Sequence, residues 1–98
     1  MKFKQDIIKE TNNVWGFDYM TALAMEEFAE VIQAINKVRR YGKDENTLIP
    51  LNEEIADVLI CIEQLKDLGL IDEEDIQEWI DKKQARQARR NFKAMMEI

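Results

Sequence analysis

Glu26-Glu27-Phe28-Ala29-Glu30-Val31 returns 27 positions later as Glu53-Glu54-Ile55-Ala56-Asp57-Val58, and this near-repeat decides how the chain is read. Each copy carries two carboxylates three residues apart, a spacing that puts them on one face of a helix. With Val31 as zero and about 100° per residue, Leu23, Ala24, Phe28, Ile35 and Val38 fall within roughly 80° and form an apolar stripe. Glu27 falls at about −40°, inside that stripe, Glu30 at about −100° on its edge, and Glu26 at about −140°. With Val58 as zero, Leu51, Ile55, Ile62 and Leu65 form the second stripe, with Glu54 at about −40° and Asp57 at about −100°.

A Glu inside an apolar stripe is costly unless it is paired or metal-bound. A buried salt bridge to Lys37 or to a C-terminal Arg is one way to hold it. Outward snorkelling of both acids is another. The matching offsets favour a shared site of Glu27, Glu30, Glu54 and Asp57. Carboxylates this close raise one another's pKa, and a divalent cation reverses that preference. All-oxygen ligands select hard cations, Mg²⁺ or Mn²⁺ first. With no histidine and one cysteine, Cys61, the chain lacks the donors for zinc and the Glu-x-x-His pairs of di-iron bundles. It also lacks the Asp-rich loop of an EF-hand.

Around the repeat the sequence predicts four helices and no strands. The first runs from about Phe3 to Val14 and stops near Gly16; Asp18 is the expected N-cap of a second from Tyr19 to Tyr41, ended by Gly42. Gly42 to Ile49 is polar and reads as a loop. Pro50 fits the first turn of a third helix that ends at Leu68–Gly69. Asp72-Glu73-Glu74-Asp75 opens a fourth, its acids matched to the positive end of the helix dipole. Glu30 and Glu54 both stand 12 residues from Gly42. The half-sites then meet if Lys43–Ile49 runs back partly extended, or if a second subunit completes the match.

The 98 residues make one domain, and a core this small favours oligomerisation. The net charge of −6 argues against general nucleic-acid binding. Met1-Lys2-Phe3-Lys4 leads into a charged amphipathic segment rather than a signal-peptide core, and no apolar run has the length of a membrane span. A soluble cytoplasmic protein is expected. Charge is unevenly spread: Glu53–Asp81 holds eleven acids and one base, Lys82–Lys93 six bases and no acid. Lys83, Arg86 and Arg90, spaced i, i+3, i+7, share a helix face that begins apolar with Ile76, Trp79 and Ile80. A solvated helix end explains such a face by itself. Beside a carboxylate–metal cluster it reads instead as a grip for phosphate oxygens. No P-loop is present.

Glu26-Glu27-x-x-Glu30 followed by Glu54-x-x-Asp57 resembles the signature of MazG-like nucleoside triphosphate pyrophosphohydrolases, over about Trp15 to Arg90. The resemblance implies an all-α, four-helix-bundle-like domain over residues 1–98, assembled as a homodimer or homotetramer. It implies Mg²⁺-dependent hydrolysis (Mn²⁺ as a substitute) of nucleoside triphosphates to monophosphate and pyrophosphate. Glu27, Glu30, Glu54 and Asp57 then stand as metal ligands and catalytic acids, with Glu26 a neighbour able to orient water. Lys83 and Arg90 match phosphate-holding positions; Arg86 joins them by its helix face, and Lys37 is a further candidate. Trp15 resembles the aromatic near the base pocket of dCTP-directed relatives, where Cys61 replaces a Tyr that some of them carry. The competing expectations are a non-catalytic helical module binding a nucleotide or a protein, and a nucleic-acid contact through the basic terminal helix.

Overall fold

The computed structural model describes residues 1–97, and these hold three α-helices and no strand. α1 spans Gln5–Tyr41, α2 Glu45–Asp67 and α3 Glu73–Met96. α1 consists of two helical segments that meet at a kink at Gly16, whose φ of 82° and ψ of 172° are not helical, so the break expected at Gly16 is present. Helix resumes at Phe17, so Asp18 lies in the first turn of the second segment rather than at its N-cap. Past the bend, Gln5–Trp15 lies along the C-terminal half of α2. Gln5 Nε2 donates to Glu63 Oε1 at 2.9 Å, and Asn12 Nδ2 donates to Gln64 O at 3.0 Å and to Asp67 Oδ2 at 2.9 Å. Gln64 Nε2 returns bonds to Ile8 O at 3.0 Å and Asn12 Oδ1 at 2.7 Å. Both amides are buried, and these bonds offset the cost of removing them from water.

The expected loop from Gly42 to Ile49 is shorter, Gly42 to Asp44. Asp44 Oδ1 accepts from the Asn46 and Thr47 amides, and Thr47 Oγ1 accepts from the Asp44 amide at 3.2 Å. This reciprocal capping box starts α2 at Glu45. Pro50 therefore stands in the second turn, not the first, where it leaves the Asn46 carbonyl without its helical donor. The three-residue turn Gly42–Asp44 removes the need for an extended return. α2 runs back along α1 as a helical hairpin.

The core is the seam between these two helices. Ala24, Ala34, Val58 and Cys61 are buried in it, joined by Ile8 and Met20. The apolar stripes read from sequence are covered on one side only. Phe28, Ile35 and Ile55 remain 43%, 46% and 38% exposed. α3 starts at the Asp72 N-cap, which accepts from the Glu74 and Asp75 amides, and then packs against neither α1 nor α2. One chain thus supplies a hairpin and a projecting helix; it does not close a four-helix bundle by itself.

Candidate metal centre

The hairpin carries the doubled motif to a single place. One carboxylate oxygen each from Glu27, Glu30 and Glu54 lie within 4.8 Å of one another. Opposite oxygens around a bound Mg²⁺ stand about 4.2 Å apart, so the groups are already near ligand spacing. Asp57, half-buried on the next turn of α2, adds its charge from beside Glu27. Glu26 and Glu53 are exposed, as their wheel positions predict.

The energetics of the cluster are unfavourable without a cation. Glu27 Oε2 and Glu54 Oε2 are buried and have no hydrogen-bond partner. Contact with the Glu30 carboxylate, burial, and repulsion from Glu30, Asp57 and Glu27 push the Glu54 carboxyl up to about 7 from its ordinary 4.5. Burial, then repulsion from Asp57 and Glu30, raises Glu27 as well. Burial raises the Cys61 thiol, with Glu27 and Asp57 adding to it. The ion pairs among the described residues join Lys66 to Glu63 and Glu73, so the buried-salt-bridge alternative has no partner at the cluster. Two orphaned oxygens on the residues of an all-carboxylate cluster fit a hard divalent cation.

The other predicted residues are distributed unequally. Lys37 lines a cleft of about 300 Å³ together with Glu30, Glu54, Gln33, Asn46 and Thr47, beside the carboxylates. Trp15 precedes the Gly16 bend, is 57% exposed, and stacks on Tyr19 with ring centroids 5.0 Å apart. Tyr19 was not singled out by the sequence reading; its i, i+4 relation to Trp15 is the signal that finds it. Lys83, Arg86 and Arg90 lie exposed on α3 and are not brought to the carboxylates within the chain. Lys83 Nζ sits 5.9 Å from the Trp79 ring centroid instead. A second concavity, apolar and about 540 Å³, is lined by Ile7, Met20, Leu23, Ile60 and Cys61 among others.

An all-helical domain whose hairpin gathers carboxylates from both helices offers the all-oxygen donor set that suits a hard cation. The sequence model of the MazG nucleotide pyrophosphohydrolase domain matches residues 16–91, and the chain belongs to that family. Its members are hydrolases acting on nucleotide phosphoanhydrides and are typically metal-dependent. Comparison with curated proteins and with solved structures returned no match. No helix among the described residues is long and apolar enough to cross a membrane.

Proposed function

We propose that the protein is a Mg²⁺-dependent pyrophosphohydrolase that splits (deoxy)nucleoside triphosphates between the α- and β-phosphates, releasing a nucleoside monophosphate and pyrophosphate. The observation that carries this reading is the pair of orphaned, buried oxygens of Glu27 and Glu54 within a cluster drawn from both helices. Glu27, Glu30, Glu54 and Asp57 would hold the cation. When bound, Mg²⁺ supplies charge neutralisation at the phosphates and a more acidic water.

The chain's own groups then divide the work. The four carboxylates fix the position at which the α-phosphate is presented, and phosphoryl chemistry depends mainly on such positioning. Those not engaged by the cation, together with exposed Glu26, orient the attacking water and accept its proton. Lys37, in the cleft shared with Glu30 and Glu54, offers an ammonium to phosphate oxygens. Trp15, with Tyr19, offers an aromatic platform for the base. Mn²⁺ substitutes for Mg²⁺ because it accepts the same oxygen donors. Association into a homodimer or a pair of dimers and a cytoplasmic location complete this reading.

Incubation with Mg²⁺ and a panel of canonical and modified NTPs and dNTPs tests it. The expected products are a monophosphate and pyrophosphate in equal amounts. Release of orthophosphate instead would move the cleaved bond. No product with either Mg²⁺ or Mn²⁺ would favour a non-catalytic helical module.

A further inference from the structure

α3 turns its apolar side over halfway along its length. With Arg86 as zero and about 100° per residue, Trp79, Ile76 and Ile80 fall at about 20°, 80° and 120°. In the second half, Ala85, Ala88, Phe92, Met95 and Met96 fall between about 180° and −80°, on the other side of the helix. One packed neighbour covers one of these patches and not both. Phe92, Met95 and Met96 are 62%, 63% and 71% exposed, and α3 packs against neither α1 nor α2. A built turn holds the helix out. Gly69 N donates to Lys66 O at 2.9 Å and Leu70 N donates to Leu65 O at 3.0 Å, with Gly69 at φ 77°. These two bonds form a Schellman stop. Lys66 then bridges Glu63 and Glu73 across the elbow.

The charges of this second half are sorted as strictly. All six bases of Lys82–Lys93 fall within about 60° of Arg86, and they make two rows. Lys83, Arg86 and Arg90, at about 60°, 0° and 40°, face away from the apolar sector. Lys82, Arg89 and Lys93, at about −40°, −60° and −20°, border it beside Met96. The opposite border is uncharged, formed by Gln84 and Asn91, and Gln87 Nε2 donates to Asn91 Oδ1 there at 2.8 Å. None of the six bases has an ion-pair partner among the described residues. Glu97, the C-cap, is the one acid near them at this end. The acidic first half of α3 ends at Asp81, about 17 Å along the axis from Phe92. That exceeds the Debye length of about 8 Å at physiological salt, so its repulsion of an anion at Phe92 is screened.

An apolar strip edged by cations on an otherwise polar helix suits an anionic bilayer surface. A protein groove asks for large apolar anchors spread over two or three turns. Here positions 85 and 88 are alanines, and the large side chains Phe92, Met95 and Met96 share little more than one turn. That pattern suits shallow insertion at one end of a helix. A nucleic acid would engage the cations and leave Phe92 and Met95 unused. No helix among the described residues can cross a bilayer, so the contact lies on its surface.

We propose that Lys82–Met96 is an interfacial anchor for an anionic lipid bilayer. Phe92, Met95 and Met96 enter the headgroup layer, and Lys82, Arg89 and Lys93 reach lipid phosphates and carboxylates from its edge. Lys83, Arg86 and Arg90 stay turned to water. The anchor stands independently of the pyrophosphohydrolase reading.

Flotation of the whole chain with two kinds of vesicle tests it, one of phosphatidylcholine alone and one of phosphatidylcholine and phosphatidylserine in equal parts. Binding to the mixed vesicles is expected to be at least tenfold tighter and to weaken as salt is raised. Phe92→Ser with Met95→Ser should weaken that binding at least tenfold and leave triphosphate turnover where it was. Lys82→Gln, Arg89→Gln and Lys93→Gln together should reduce the preference for phosphatidylserine more than Lys83→Gln, Arg86→Gln and Arg90→Gln together, at the same change in net charge. No binding to either vesicle, equal binding to both, or binding indifferent to the Phe92/Met95 change would overturn the anchor. Equal losses from the two triple variants would overturn the placement of its cations. A duplex oligonucleotide bound more tightly than the vesicles, and unaffected by the Phe92/Met95 change, would assign the cationic face to nucleic acid instead.

Discussion

Glu54 concentrates the cost of the site in one side chain. Its carboxyl is raised to about 7, so between pH 4.5 and about 7 the folded protein holds a proton that the unfolded chain has released. Stability of the metal-free protein must therefore fall as pH rises through that window and level off above it. Thermal melts in chelator at pH 5, 6, 7 and 8 should show this decline. Because cation binding needs the carboxylates ionised, Mg²⁺ should raise the melting temperature more at pH 8 than at pH 5. Glu54→Gln removes the charge and keeps the shape. It should flatten the pH dependence, raise the melting temperature of the metal-free protein, and lower activity about 100-fold or more. A substitution that left the pH profile unchanged would place the strain elsewhere.

At the scale of the element, the site depends on where helices stop and turn. Gly16 sits at φ 82° and ψ 172°, a region essentially confined to glycine, and a Cβ there would meet nothing within 4 Å. Gly16→Ala should cost about 1–3 kcal/mol through the backbone alone, read by urea denaturation. Asp44 decides where α2 begins, and Asp44→Ala should cost about 1 kcal/mol. Both elements were visible in the sequence as helix formers. The break at Gly16 and the stop at Gly42 were legible too, but the start of α2 was not, because Asp44-x-x-Thr47 has the composition of a loop and the geometry of a cap. Pro50 reinforced that misreading, since proline is commonest in the first turn. Asn12 and Gln64 escaped the sequence reading for a different reason. Their value lies in meeting each other across two helices, 52 residues apart in the chain.

At the scale of the whole molecule, much apolar surface is left uncovered. Phe28, Ile35 and Ile55 stay open to water together with α3. The 24 helical residues of α3 have no buried side chain, whereas most helical stability in proteins comes from packing an amphipathic face. Folding of this chain should therefore be coupled to association. The melting temperature should rise by about 3–4 °C for each tenfold increase in protein concentration, as the unfolding enthalpy of two such chains implies. Differential scanning calorimetry over two decades of concentration measures it, and a concentration-independent transition would mean that one chain is stable alone.

The sequence by itself determined the helical class, the polarity of α3, and the places of Glu27, Glu30, Glu54 and Asp57 on two helix faces. These follow from periodicity, which is local: a residue's angle around its own helix does not depend on what packs beside it. Only the tertiary structure decided that Glu27, Glu30 and Glu54 meet within one chain, that Lys37 shares their cleft, and that Lys83, Arg86 and Arg90 do not reach it. Those outcomes hang on two short turns, Gly42–Asp44 and Leu68–Asp72, whose caps set the direction of everything after them. A few backbone bonds at an elbow carry a cationic face either to its own acids or away from them, and composition and spacing are the same in both cases.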